Sequence, residues 1–143
     1  MKINKASVIG ILVVLAAIVV VLVTVSENEI KKNIQWIPLT STSQIEEIKQ
    51  LSDKASVFLF KHSTRCGISK VVIKQFEDLF KEEHQHLKVY YLDLLNYRAI
   101  SNQIAETFEI THQSPQLRVV QNGVSVFNTS HNDITLIDLA RFV

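Results

Sequence analysis

Two kinds of apolar pattern divide this chain. Residues 6 to 25, ASVIGILVVLAAIVVVLVTV, run for 20 positions without a charge. After residue 33, apolar residues come instead in short runs or at helical spacing. A helix of about 20 residues spans roughly 30 Å, the hydrocarbon thickness of a bilayer. The first pattern therefore predicts a transmembrane helix over 6–25, behind a short tail of residues 1–5. A cleaved signal peptide is the rival, but its apolar region is usually about 7–15 residues and ends in a small-x-small site. Here the run is longer and passes into Thr24-Val25-Ser26-Glu27-Asn28 without an Ala-x-Ala, and no cysteine follows that would carry a lipid. An uncleaved single-pass anchor is the expectation.

Residues 26–33 are polar and charged and read as a linker to a domain over 34–143. There the periods alternate. Ile34 to Leu39 reads as a strand with Pro38 near its end, and Ser41 or Ser43 can cap a helix with Ile45, Ile48 and Leu51 inward. Ser56 to Lys61 (SVFLFK) is a short apolar run, the mark of a buried strand. Between Cys66 and Glu83, Val72, Phe76, Leu79 and Phe80 recur at one helical face. Leu87 to Leu94 is rich in strand formers, and Ile100, Ile104 and Phe108 mark a third helix. Gln116 to Gln121 and Val124 to Thr129 then flank Asn122-Gly123, a strong hairpin signal. A last helix is predicted after Asp133, its cap, with Ile134, Ile137 and Val143 inward. The order β-α-β-α-β-α-β-β-α implies parallel pairing through helical crossovers, closed by an antiparallel hairpin. That is a thioredoxin-like α/β fold, a mixed central sheet flanked by helices.

Composition narrows the function. Among 143 residues, 15 Lys+Arg against 14 Asp+Glu give a net charge of +1, which argues against a polybasic nucleic-acid arm or an acidic tail. Three glycines and two prolines argue against low-complexity disorder, and there is no Gly-rich phosphate loop. One cysteine excludes an internal disulfide and a multi-cysteine zinc site. His84-Gln85-His86 lacks an evident third metal ligand and reads as solvated cations at a helix end; no metal is expected. Lys2 and Lys5 lie close before the apolar run, Lys31 and Lys32 further after it. By the positive-inside rule this favours a cytoplasmic amino terminus and an extracytoplasmic domain.

The single cysteine, Cys66, opens the longest helix just after the buried strand. The first N–H groups of a helix lack intrahelical partners and its dipole is positive there, so a thiolate, the nucleophile of disulfide exchange, is favoured. Lowering an ordinary thiol from about 8.5 to about 7 takes roughly 2 kcal/mol, more than the roughly 0.3–1 kcal/mol of a dipole. The N–H groups of Ile68 and Ser69, the Ser69 hydroxyl, and the charges of Arg65 and Lys70 are the candidate contributors. The alternative is an inert, buried structural thiol. Thr64-Arg65-Cys66 lacks the spacing and upstream proline of a peroxide-reducing site, and no Cys–His–Asn set suggests a protease.

The segment Lys61-His62-Ser63-Thr64-Arg65-Cys66-Gly67-Ile68-Ser69 resembles the active-site stretch of the monothiol bacilliredoxins (YtxJ-like family), a branch of the thioredoxin superfamily, whose pattern is Lys-His-Ser-Thr-x-Cys-Pro-Ile-Ser. His112-Gln113-Ser114-Pro115-Gln116 and the ending Asn122-Gly123 … Ser130-His131-Asn132-Asp133-Ile134-Thr135 are also similar to theirs. The resemblance spans residues 34–143 and leaves out the anchor. It implies thiol–disulfide exchange without a bound cofactor: Cys66 removes a low-molecular-weight thiol, bacillithiol, from S-thiolated client proteins. Ser69 stands where a dithiol thioredoxin has its second cysteine, so a second thiol or a reductase must resolve the adduct. The family's thiol is cytosolic, at odds with the charge-based topology.

Gly67 departs from the pattern's proline. It loosens the first helical position yet restores an N–H donor. The resemblance also implies a cis Pro115 in a loop facing Cys66, with the backbone of Ser114 pairing an extended segment, where the residues alone allow a trans proline opening a strand. His62 is a candidate to tune Cys66, and His112 to shape the cleft. A tethered peptide-binding or assembly module with a non-catalytic Cys66 remains the alternative.

Overall fold

In a computed structural model, residues 4, 8–18 and 34–143 are described, and the chain divides into two units after Lys32. Residues 8–18 are helical with exposed apolar side chains. No helix among the described residues is long and apolar enough to cross a membrane. The rest of the expected 6–25 span and the 26–33 linker lie outside them.

The second unit is built on a five-stranded sheet in the order β1-β3-β2-β4-β5. Its strands are β1 (Trp36–Pro38), β2 (Val57–His62), β3 (Lys88–Asp93), β4 (Gln116–Gln121) and β5 (Val124–Ser130), with helices α1 (Ser43–Ser52), α2 (Gly67–Asp78) and α3 (Arg98–Thr107) between them. β1, β3 and β2 run parallel, while β4 is antiparallel to β2 and β5 antiparallel to β4. β1 is shorter than Ile34–Leu39 predicts. It sits at the sheet edge, where Pro38, lacking an N–H, is tolerated, and beyond it Leu39 N–H still donates to the Tyr91 carbonyl of β3 (2.8 Å). The hairpin turn places Asn122 at φ 50° and Gly123 at φ 74°, as a two-residue type I′ connection requires. Its tip is tied to the end of α1, where the Ser52 carbonyl and hydroxyl accept from the Asn122 and Gly123 N–H groups at 2.8 Å each.

β2, at the centre, is buried at every position, so its side chains alternate between two cores. Phe58 and Phe60 join Val72, Phe76, Phe80, Val89, Leu117 and Val119 against α2. Val57 and Leu59 join Ile45, Ile48, Tyr90, Leu92, Ile100, Ile104 and Val120 against α1 and α3. This is the thioredoxin-like layering expected from the sequence.

The C-terminal helix is a correction. Two 3₁₀ turns, His131–Leu136 and Leu139–Phe142, replace it. They begin from a left-handed His131 (φ 56°) with no side-chain cap on the first, and Asp138 rather than Asp133 caps the second, accepting from Ala140 N–H. Ile134, Ile137 and Leu139 face the α2 core, whereas Val143 is 67% exposed. A 3₁₀ repeat of three residues does not hold the i, i+4, i+7 face that a regular helix would.

Candidate active site

β2 feeds directly into the candidate site. Its last residue is followed by a turn in which Cys66 N–H donates to the Ser63 carbonyl (3.1 Å), and Cys66 then caps α2 with extended backbone (φ −95°, ψ 122°). The Cys66 carbonyl accepts the first intrahelical bond, from Lys70 N–H (3.1 Å). The N–H groups of Gly67, Ile68 and Ser69 thus lie ahead of the helical ladder, at the positive end of the dipole. Cys66 is a free, half-buried thiol. α2 is held in place by Val72 and Phe76, both fully buried against β2 and β4, so the thiol's position is set by the aromatic core beneath it. Thr64, Arg65, Gly67, Ile68 and Lys70 surround it in exposed positions.

The expected contacts to sulfur are corrected in part. The Cys66 side chain caps no N–H of the helix. The Ser69 hydroxyl is engaged elsewhere: it accepts from Ser63 N–H (3.1 Å) and bonds His62 Nδ1 (2.8 Å). Ser69 is completely buried, and this bond pins the first turn of α2 to the end of β2. His62 is buried as well and lies against the Tyr91 ring. Burial, the largest cause, lowers its pKa; the Asp93 carboxylate works against that, Lys70 with it, and a backbone hydrogen bond at Ser69 against it. His62 is therefore a neutral ring that orders the turn. It touches Ser69, and through Ser69 the helix that carries Cys66.

The second sequence-predicted segment meets the first through strand pairing. Gln116 at the start of β4 pairs with Lys61, and Leu117 with Phe60, so the loop before β4 lies at the Cys66 end of the sheet. Its Ser114–Pro115 peptide is cis. The Pro115 carbonyl accepts from His131 N–H (3.0 Å), and His131 Nε2 lies 3.2 Å from Gln113 Oε1. The Ser114 hydroxyl oxygen is buried with no hydrogen-bond partner among the described residues. His112 is exposed, but its Nδ1 points inward, 2.9 Å from Lys61 Nζ and 3.2 Å from Ser101 Oγ.

Behind His112 lies a polar cluster that the sequence reading missed. Lys61 Nζ also reaches Gln116 Oε1 (3.4 Å), which accepts from Arg118 (3.1 Å). Arg118 in turn donates to the carbonyls of Ile104 (3.0 Å) and Ile110 (3.3 Å), and Gln116 Nε2 to the Thr111 carbonyl (3.0 Å). Lys61 and Arg118 are 1% and 0% exposed. Burial, then the charge of Arg118, lowers the Lys61 pKa from 10.5 to about 8, and burial lowers that of Arg118 to about 10. The available signal was the period of two, which sets Gln116 and Arg118 on one face of β4, across from Lys61.

Of the remaining histidines, His84 is buried rather than solvated. It is 5% exposed, packs edge-on against Phe80, and its Nδ1 accepts from Lys81 N–H (3.1 Å). His86 is exposed, and no metal-binding cluster of His, Cys, Asp or Glu occurs among the described residues.

The fold and the placement of Cys66 define a protein of the thioredoxin class. Solved structures agree: one protein with a thioredoxin fold is 33% identical, at a TM-score of 0.63 over 74% of this chain and 91% of its own. Thioredoxin from Trypanosoma brucei brucei (15% identity, TM-score 0.59, 73% and 85% coverage) and the Schistosoma mansoni thioredoxin pre-protein (18%, 0.59, 77% and 100%) are similar in fold alone. Within that class, the family described as monothiol bacilliredoxin BrxC matches residues 37–139. The chain belongs to this family of thiol oxidoreductases.

Proposed function

We propose that Cys66 is the nucleophile of a monothiol exchange that removes bacillithiol, or a similar small thiol, from S-thiolated client proteins. The Cys66 thiolate attacks the small thiol's sulfur in the mixed disulfide, that S–S bond breaks, and the client leaves as a thiolate. Cys66 now holds the small thiol in a new disulfide. A second small thiol or a reductase attacks this adduct and returns Cys66 to the thiolate. Electrons are conserved at each exchange, and no bound cofactor takes part.

The observation that carries this reading is the lone half-buried Cys66 at the N-cap of α2, at the sheet end where the cis Ser114–Pro115 loop begins β4. Ser69, locked to His62 three residues later, offers no second sulfur. The uncharged run over 6–25 supports an uncleaved transmembrane anchor, and its flanking lysines favour an extracytoplasmic domain. A different small thiol would reconcile that side of the membrane with the chemistry.

The test is exchange with a small aromatic disulfide at neutral pH, followed by release of a client from its mixed disulfide. Cys66→Ser is expected to abolish both while keeping the unfolding transition. An unmodified chain that folds but reacts with neither would favour a tethered peptide-binding module. Attaching a fluorophore to each end of the domain's membrane-proximal segment in vesicles, with impermeant quencher outside, reads the topology.

A further inference from the structure

Resting on that reading, we propose that His112, held from behind by Lys61 and Ser101, forms a carboxylate-recognising subsite at the Cys66 end of the sheet, so that exchange favours small disulfides carrying an anionic group.

Three observations converge on this loop. The first is tautomeric. An ammonium has donors only, so Lys61 Nζ at 2.9 Å makes His112 Nδ1 an acceptor. The ring proton of the neutral imidazole then resides on Nε2, at an exposed residue, leaving a fixed N–H donor for an incoming group. The neutral ring fits its surroundings: burial first, then Lys61, Arg118 and Arg98, all lower the His112 pKa.

The second is an imbalance of charge. Lys61 and Arg118 are buried and share one neutral acceptor, Gln116 Oε1. Among the described residues neither they nor Arg98 form an ion pair, since the ion pairs there are Lys49–Glu46 and His84–Glu83. The Arg118 Nε is buried without a hydrogen-bond partner. Asp93, at the end of β3, is taken up by Leu95 N–H and the Asn96 side chain. Buried cations without a counter-charge are costly, and they leave a positive field that draws anions toward the loop.

The third is the start of α3. It opens on Arg98, with no acidic residue in its first turn, so the positive end of its dipole is reinforced rather than offset. Ser101 of that turn is the second group on His112 Nδ1, which couples this end of the helix to the loop.

The experiment compares two probes on the full chain, whose single cysteine makes the reacting atom unambiguous: dithiobis(nitrobenzoate), which carries carboxylates, and dithiodipyridine, which is neutral. The quantity read is the ratio of their second-order rate constants. The double substitution Arg98→Gln with His112→Ala is expected to lower that ratio about fivefold, the range of one solvent-exposed charge-assisted contact. Arg98→Gln alone, an exposed change outside the core, is expected to lower it about twofold and serves if the double variant does not fold. An unchanged ratio in the folded variants overturns the subsite while leaving Cys66 exchange standing. A wild-type chain that reacts with neither probe overturns the exchange reading instead.

Discussion

The two faces of this sheet are built from the same strands to opposite rules. Toward α2, one face is aromatic and dry: Phe60, Phe76 and Phe80 meet at ring centroid distances of 5.2 Å, and Trp36 packs edge-on to Phe60 at 5.6 Å. Toward α1 and α3, the other face begins as apolar, with Ile48, Leu59 and Val120, and turns polar at Lys61, Gln116 and Arg118. Each face supports a different half of the candidate site. The dry one fixes the helix that presents Cys66. The polar one fixes the loop of His112 and the cis proline. Aromatic packing sets position on the first, whereas hydrogen bonds on the second set orientation and charge.

Substitutions can break this contrast or sharpen it. The largest effect on stability is expected on the dry face. Phe76→Ala removes a fully buried ring and should cost about 3–5 kcal/mol in urea unfolding; a cost below about 1 kcal/mol would show that the face yields to a cavity. Lys61 tests the polar face through pH. Its folded pKa of about 8 lies below the ordinary 10.5, so above about pH 8 the folded protein sheds a proton that the unfolded chain keeps, and stability rises with pH. The rise should be on the order of 2 kcal/mol between about pH 7 and 9.5, and Lys61→Met should flatten it. Above about pH 10 Tyr90, raised to about 12 mainly by burial and next by its bond to Glu47, acts in the opposite direction. An identical rise in Lys61→Met would remove the lysine as its source.

A smaller loss is expected at the polar end of the α2 face, where His62 follows Phe58 and Phe60 along β2. Ser69→Ala strands His62 Nδ1 and Ser63 N–H, at about 1–2 kcal/mol by thermal unfolding. If stability is unchanged, water or a shifted turn replaces the hydroxyl. The smallest effect is a gain. A Cβ at Gly67 meets nothing within 4 Å, so Gly67→Ala should stabilise by about 0.4–1 kcal/mol. Destabilisation there would mean that the α2 entry needs the freedom of glycine.

Much of this architecture was legible because single residue types impose it. Asn122-Gly123 forced the hairpin, since both positions need left-handed backbone. The spacing of Val72 and Phe76 placed α2 with Cys66 at its head. What escaped reading was what depends on partners distant in sequence. Lys61 and Arg118 sit in runs whose composition says strand but not how a cation is accommodated; the carbonyls of Ile104 and Ile110 that hold Arg118 come from another element. His84 looked solvated among charged neighbours until Phe80 covered it. The closing helix failed for a local reason, because 3₁₀ turns bury the same isoleucines at a tighter repeat.

The solitary thiol of Cys66 carries one more implication. A thioredoxin with two cysteines erases the identity of what it met, because its oxidised form is always the same closed ring. A protein with one cysteine leaves a record instead. In the proposed cycle, its oxidised form is heavier than the reduced chain by the group it accepted. The intact mass of the protein taken from cells under oxidant, with free thiols blocked at lysis, would therefore name its physiological small thiol without a prior guess at what to look for.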